Sequence, residues 1–290
     1  MTRAATRPRS RQRGLSIVEV LVSLVIGLVV VGAVLLAYLT SGQTQRLQTA
    51  YAQMNEDAQI GLHLLSSDLL LAGYAQPVSL DPGTLQLVRT YAGRPVFGCD
   101  GNFVKANTTG QVICAGNGNS HSIEVVYEAD LATTVRNSTS KGPSDCLGGS
   151  LAEQTVGSTN FFVAYNRYYV ATSVLGRPEL HCASNKAGAV GLPLVDNVES
   201  MKIWYGEANP AEPRSITRYV SAANVKDLGT DFSFVVSVRV CLLMRSAEPV
   251  LTAEDSASYL DCDSTLQTST DRFARRAYAR TTALRNKMAF

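Results

Sequence analysis

Residues 15–39 read LSIVEVLVSLVIGLVVVGAVLLAYL and carry a single charged side chain, Glu19. A helix of this length spans about 37 Å at roughly 1.5 Å per residue, which exceeds the ~30 Å hydrocarbon core of a membrane. Five arginines precede the stretch, and Arg46 is the first basic residue after it. The positive-inside rule therefore predicts a transmembrane helix with a cytoplasmic N-terminus and a following chain that crosses the membrane.

The composition is that of a globular protein with a basic N-terminal segment. The 290 residues (31.1 kDa) are 46% hydrophobic and 17% charged, which excludes a disordered tail. The formal net charge is +2, and the five arginines before Gly14 contribute +5, so the remainder carries −3. Charge-driven binding of nucleic acid needs a basic body. No direct contact with nucleic acid is expected.

Two simpler interpretations of the apolar stretch are a cleaved secretory signal and a plain membrane anchor. The uncharged run is longer than the ~7–15 residues of a usual signal core, and no clean A-x-A site follows it. A plain anchor leaves Glu19 unexplained, since a carboxylate in hydrocarbon costs on the order of 2–3 kcal/mol. A group that costs this much usually has a partner, which indicates a function for Glu19.

The junction of residues 11–14 (RQRG) with residues 15–19 (LSIVE) resembles the class III leader of type IV pilins and pseudopilins. The resemblance implies cleavage after Gly14 by a prepilin peptidase, followed by methylation of the new N-terminus at Leu15. It also implies that Glu19 pairs with the N-terminal amine of a neighbouring subunit. Opposite charges attract strongly in a medium of low dielectric, so such a pair can set the axial register of packed helices.

Three later segments resemble the large minor pilins of the PilW type. They are residues 194–206 (LVDNVESMKIWYG), residues 218–223 (RYVSAA) followed by residues within 236–246, and the closing residues 275–286 (RRAYARTTALRN). The related large pseudopilin of type II secretion systems shares the central segment and remains an alternative. The resemblance implies a structural minor pilin that primes pilus assembly with other minor and major pilins, sits at the tip, and supports twitching motility, adhesion and DNA uptake. A head that binds a tip adhesin or surface ligand is a further alternative.

An amphipathic helix is predicted to follow the membrane segment. Apolar residues recur at steps of three or four, at Leu47, Tyr51, Met54, Ala58, Leu62, Leu65 and Leu69. Gly73 can end this helix, and Pro77 prevents its resumption. The expected organisation is a cytoplasmic leader (1–14), a transmembrane half-helix (15–39), a periplasmic amphipathic half-helix (40–75) and a periplasmic head (76–290). After assembly the protein would lie in the pilus, at the cell surface.

The head is predicted to be rich in β-strands, so the fold class is α+β with the pilin-like lollipop form that the resemblance implies. The clearest strands are residues 122–127, 160–172, 198–205, 216–220 and 232–244, with a last strand inside 275–286. Loops are predicted at residues 98–120, 137–149 and 248–270. The alternation of Val236, Val238 and Val240 with polar neighbours predicts an antiparallel sheet with one solvated face.

The six cysteines lie in the predicted head, at Cys99, Cys114, Cys146, Cys182, Cys241 and Cys262. An even count outside the cytoplasm predicts disulfides, and six cysteines allow fifteen connectivities. Nearest-neighbour pairing (99–114, 146–182, 241–262) is favoured, because each bond would close a loop-rich segment. A zinc site would need C-x₂₋₄-C pairs, which the sequence lacks.

The sequence contains no recognisable catalytic motif, so no enzyme, cofactor or metal is expected. The three histidines, His63, His121 and His181, lack metal-binding spacing, and nucleophile-elbow and phosphate-loop motifs are absent. Disulfide pairing explains Cys182 beside His181 better than a thiol nucleophile does. The acidic segment with Glu254, Asp255, Asp261 and Asp263 lacks the calcium-loop pattern. The aromatic run from Phe161 to Tyr169 is expected to form core and sheet surface rather than a binding face.

Overall fold

The computed structural model describes residues 14, 16–83, 87–116, 118–186, 190–209, 211–228, 232–252 and 257–287. The chain divides into two compact units, one up to Gln48 and one from Thr49 onward. Helix α1 (Ile17–Leu71) contributes to both units, and its two parts are described with the unit to which each belongs.

In the first unit, α1 carries a continuous set of exposed apolar side chains. Ile17 is 80% exposed and Leu36 is 69% exposed, and the valines and leucines between them are similarly uncovered. The helix contains an apolar window long enough to cross a membrane, and none of that window is buried. An apolar surface of this extent needs a cover of lipid or of other helices.

In the second unit, the predicted apolar stripe of α1 packs into the core. Five of its residues are buried, namely Met54, Ala58, Leu62, Leu65 and Leu69. Gly61 lies on the same buried side, where an added Cβ atom would come within 3.0 Å of Leu242 Cδ1. The glycine therefore lets the helix approach the sheets closely.

The C-terminal end of α1 is closed by two devices. Gly73 follows the last helical turn with a φ of 74°, a left-handed conformation that glycine adopts without a steric penalty. The Nδ2 atom of Asn286 donates to the carbonyls of Leu70 and Leu71 at 3.2 Å and lies 3.4 Å from the carbonyl of Ala72. A side chain from the far end of the sequence thus satisfies helix carbonyls that have no partner within the helix.

The strands of the second unit form two antiparallel sheets and two hairpins. The larger sheet has the order β3 (Val96–Cys99), β4 (Ser122–Glu128), β6 (Thr159–Thr172), β7 (Pro178–Ala183) and β8 (Leu192–Asp196), and β5 (Glu153–Val156) pairs with the start of β6. The four-stranded sheet has the order β10 (Glu212–Val220), β9 (Val198–Asn209), β11 (Val235–Arg245) and β14 (Arg275–Ala283). The hairpins are β1 (Pro77–Leu80) with β2 (Leu87–Arg89), and β12 (Ala257–Leu260) with β13 (Leu266–Ser269).

The predicted α+β class is confirmed as one long N-terminal helix followed by a β-rich head. The predicted strands are present, and β9 extends four residues further than expected, to Asn209.

The predicted loop at 248–270 is wrong in part, because β12 and β13 form a hairpin within it. The carboxylate of Asp261 builds the hairpin turn by accepting the backbone N–H groups of Asp263 and Thr265, each at 2.9 Å. Strands of four residues lie at the lower limit of length for recognising an alternating pattern.

The four-stranded sheet also differs from the prediction of one solvated face. Ser237, Cys241 and Leu243 alternate with the valines of β11 and yet are 2%, 3% and 6% exposed. Cys241 is bonded to Cys262 in the turn of the β12–β13 hairpin, and the Ser237 hydroxyl donates to the hydroxyl oxygen of Tyr219 at 3.0 Å. The hairpin and Tyr219 therefore cover much of the face that the alternation assigned to solvent.

Candidate functional site

The first turn of α1 presents the carboxylate that the sequence singles out. The carbonyl of Ser16 accepts the N–H groups of Glu19 at 3.0 Å and Val20 at 3.1 Å, so Ser16 is the N-cap and Glu19 the third helical residue. Ser and Glu at this spacing are the residues of a capping box. The S-x-x-E pattern before an apolar run is the sequence signature of such a helix start. The helix dipole also favours an acidic group at this end.

The side chain of Glu19 is exposed among apolar neighbours such as Val18, Val20 and Val22. Within the described ranges, no cation lies at salt-bridge distance from its carboxylate. The hydroxyl of Ser23 donates to the backbone carbonyl of Glu19 at 2.7 Å, not to the carboxylate. Gly14 is exposed, and Leu15, the predicted methylation site, lies outside the described residues. The carboxylate is therefore open to a group supplied by another molecule.

Three disulfides secure the loop-rich parts of the head. The bonded pairs are Cys99–Cys114, Cys146–Cys182 and Cys241–Cys262, the same pairs that the nearest-neighbour arrangement contains. The first closes the segment after β3, the second attaches residues 137–149 to β7, and the third attaches the β12–β13 hairpin to β11. All six cysteines are bonded, so none of them provides a free thiol.

Arg167 is a fully buried cation that sequence analysis did not identify. Its Nε atom donates to Glu124 Oε2 on the neighbouring strand β4 at 2.7 Å. Its terminal nitrogens donate to the carbonyls of Ala106, Thr108 and Gly110 at 2.8, 2.6 and 2.6 Å. One side chain thus fixes the long loop after β3 to the centre of the larger sheet. The residue sits among aromatic neighbours in the sequence, and no local pattern marks it as buried.

A second buried polar group attaches α1 to the larger sheet. The carboxylate of Asp68 accepts the hydroxyl of Tyr127 at 3.0 Å, the side-chain amide of Asn166 at 2.6 Å and the hydroxyl of Tyr168 at 2.5 Å. Burial raises the pKa of Asp68 above its usual value of 3.8, and the three hydrogen bonds oppose that shift. Within the described chain no cation pairs with this carboxylate. Neutral donors alone therefore compensate its charge.

The histidines and acidic residues of the head have structural roles. Nδ1 of His121 lies 3.1 Å from the backbone nitrogen of Ile203, and burial lowers the pKa of this imidazole. Asp263 pairs with Lys202, and the Asp261 carboxylate is occupied by its own turn. Glu254 and Asp255, considered for calcium, lie outside the described residues. Among the residues that the structure describes, no group of His, Cys, Asp and Glu side chains is arranged to hold a metal ion.

The aromatic run of β6 belongs to the core and the sheet surface. Phe161 is buried with Val126 and Val163, and Tyr91 and Tyr165 pack against this cluster. Tyr91 and Tyr165 meet edge to face with ring centroids 6.4 Å apart. These contacts are the expected packing of aromatic side chains and form no open binding face.

Comparisons with known proteins match both ends of the chain. Residues 9–35 match the model of the prokaryotic N-terminal methylation motif, and residues 167–286 match the family model described as type IV pilus-assembly protein W (PilW). Among curated proteins, none matches the sequence significantly. One similar solved structure is a type IV-like pilin from Thermus thermophilus, with 12% identity, a TM-score of 0.39, and coverage of 82% of this chain and 98% of that one.

The matched regions coincide with the features described above. The methylation motif contains Gly14 and Glu19, and the PilW region contains Arg167, two of the disulfides in whole or in part, and the complete four-stranded sheet. Proteins of this kind are structural and non-enzymatic, and they assemble with other pilins. With both regions in one chain, the comparisons support a type IV pilin of the PilW type.

Proposed function

We propose that this protein is a minor pilin that joins other minor pilins at the inner membrane, primes assembly of a type IV pilus and then lies at or near the pilus tip. Prepilin peptidase cleaves the leader (1–14) after Gly14, and Leu15 becomes the methylated N-terminus. Residues 15–39 span the membrane, residues 40–75 continue the helix in the periplasm, and the head (76–290) is periplasmic until assembly. Twitching motility, adhesion through a tip adhesin and DNA uptake are then downstream processes of the assembled pilus.

The observation that supports this proposal best is a lone carboxylate on an exposed apolar helix. In lipid, Glu19 costs on the order of 2–3 kcal/mol unless a positive group meets it. The amine of a neighbouring subunit supplies that charge when two such helices pack with the correct axial offset. If the two helices pack with a different axial offset, both charges stay unpaired in an apolar medium, which is unfavourable. Glu19 thus favours one register, while the surrounding valines and leucines supply nonspecific packing.

The exposed apolar surface of α1 also supports a role in priming pilus assembly. The apolar side chains of α1 between Ile17 and Tyr38 are exposed, so extraction of a single subunit from lipid would uncover all of them. A preformed group of minor pilins offers a ready set of helices against which the next subunit packs. The first extraction step is therefore less unfavourable with the group than without it.

The proposal is tested with full-length protein expressed in cells that make the other pilins. Mass spectrometry of the membrane-extracted protein is expected to show a mature N-terminus at methylated Leu15. Glu19→Ala is expected to lower co-isolation with the other pilins by about tenfold or more, since each ~1.4 kcal/mol corresponds to a factor of ten. Glu56→Ala, which removes an exposed carboxylate from the same helix, is the matched control and retains the wild-type yield. An intact leader, or undiminished co-isolation of Glu19→Ala, contradicts the proposal.

A further inference from the structure

Strand β14 has a long, regular edge with open backbone groups. It pairs with β11 over nine consecutive residues without a register shift, and the described ranges contain no strand on its other side. The backbone N–H of Leu284 donates to the carbonyl of Val236, and the carbonyl of Ala274 accepts the N–H of Ser246. The backbone N–H and C=O groups of the even-numbered residues of β14 therefore point toward β11. Because backbone groups alternate along a strand, Ala277, Ala279, Thr281 and Ala283 point their N–H and C=O groups toward the open edge.

The end strands β3, β8 and β10 of the two sheets are protected against strand pairing, and β14 is not. β10 contains Pro213 and two register shifts, and β8 contains Pro193 and one shift. β3 has four residues, and the chain that follows it folds back in the Phe103–Cys114 bridge. Proline, bulges and short length are the usual means of blocking an edge. β14 contains no proline, no glycine and no bulge.

The side chains of β14 leave room for an added strand. Beyond the buried Arg275, the β14 positions whose backbone faces the edge carry alanine and threonine, and Ala279, Thr281 and Ala283 are exposed. Beside them, the β12–β13 hairpin and β14 enclose a groove of 430 Å³ whose lining includes Tyr259, Leu260, Ala277 and Ala279. Side chains of an added strand that lie on the same face of the sheet as Ala277 and Ala279 would enter this groove.

The charge of β14 indicates what kind of strand fits. Arg276 and Arg280 are exposed, four residues apart on the opposite face, and Arg285 follows them. Arg275 is already paired with Glu199 and Asp271, whereas the described residues provide no carboxylate for these three arginines. The sequence from Arg272 to Phe290 contains no Asp or Glu. Two copies of this edge would bring like charges together, which opposes self-association.

We propose that the open edge of β14 accepts an extended acidic segment from the head of another pilin as an added antiparallel strand. Two carboxylates four residues apart on one face of that segment would lie opposite Arg276 and Arg280, where directly opposed opposite charges stabilise a pair of strands. This inference rests on the proposed function, since it names how the head meets its neighbours. It adds a contact that the N-terminal helix does not supply.

The test uses full-length protein with a photo-crosslinking amino acid at Thr281, expressed with the other pilins of the same cell. A crosslink to another pilin is expected from position 281, about tenfold stronger than from Ser215 on the protected edge of β10. Ala279→Pro removes an edge-facing N–H that β11 does not use, and it is expected to reduce the crosslink about tenfold, whereas Ser215→Pro leaves it unchanged. An adduct of twice the protein's own mass would show self-pairing and overturn the proposal.

A charge variant keeps the test decisive if proline at position 279 lowers the melting temperature. The double variant Arg276→Glu/Arg280→Glu is expected to lose the crosslink, and Arg136→Glu, which changes an exposed arginine outside the four-stranded sheet, is expected to keep it. Equal crosslinking in all variants, or no adduct with any pilin, overturns the inference. Glu19-dependent co-isolation is measured in the same cells. If it persists while the β14 variants have no effect, the head contact is wrong and the assembly function stands.

Discussion

Replacing Asp68 with alanine is expected to destabilise the head by about 2–4 kcal/mol. The change removes the acceptor of three hydrogen bonds and leaves the hydroxyls of Tyr127 and Tyr168 as buried donors. Each abandoned donor costs about 1–3 kcal/mol, and removal of a desolvated carboxylate recovers part of that sum. Asn166 loses less, because its amide nitrogen also lies 3.1 Å from the Tyr127 hydroxyl.

The dependence on pH separates charge from packing at this site. Burial raises the pKa of Asp68, so the folded state holds the proton more tightly than the unfolded state does. The stability that this group contributes is therefore complete below its unfolded pKa and is lost as the pH rises through the folded pKa. Asp68→Asn keeps the shape and cannot titrate, so the advantage of wild type over this variant should shrink as the pH rises from the unfolded-state pKa through the raised folded-state pKa.

The assay is urea unfolding of the full-length protein in detergent, with the disulfides intact, at a series of pH values. Glu56→Gln, an exposed change on the same helix, is the control and should stay within about 0.5 kcal/mol of wild type at every pH. A loss below about 0.5 kcal/mol for Asp68→Ala would refute the view that this carboxylate holds the helix to the sheet. A wild-type advantage over Asp68→Asn that grows as the pH rises would refute the sign of the charge effect.

Two further changes test the buried supports of the head. Replacing Cys146 and Cys182 with serine is expected to lower the free energy of unfolding by about 4 kcal/mol, because the bond closes a loop with a sequence separation of 36 residues; a midpoint unchanged in urea would contradict this. Arg167→Met is expected to cost about 3–5 kcal/mol, because it leaves the buried Glu124 with the weaker 3.8 Å contact to Arg94 and removes the donors to three loop carbonyls. Arg167→Met/Glu124→Gln should recover part of that loss. A double variant no more stable than Arg167→Met would mean that the loop carbonyls, and not Glu124, determine the effect.

Local patterns predicted the features that depend on sequence neighbours. The 3–4 spacing from Leu47 to Leu69 predicted the buried stripe, and Gly73 predicted the end of α1, since both follow from the geometry of one helix. The alternation of β11 predicted a strand, but it could not show that a hairpin from residues 257–269 would cover Cys241. That cover depends on a bond between residues 21 positions apart.

The polar contacts of the head could not be predicted for a related reason. Arg167 reaches carbonyls 57 to 61 positions away, and Asp68 meets Tyr168 across 100 positions. No local pattern distinguishes a buried arginine on a strand from one that points to solvent. The partners become visible once β4 and β6 are placed side by side with their register.

The contact between Asn286 and the end of α1 has a consequence for how the protein is made. The two groups are separated by 214 to 216 positions, so nearly the whole head must be synthesised before the C-terminal end of α1 can be capped. Contacts of such long range slow folding and prolong the exposure of apolar surface. A nascent chain that stops before β14 would leave the C-terminal end of α1 uncapped and open to proteases. Incomplete chains would therefore be degraded in preference to complete ones.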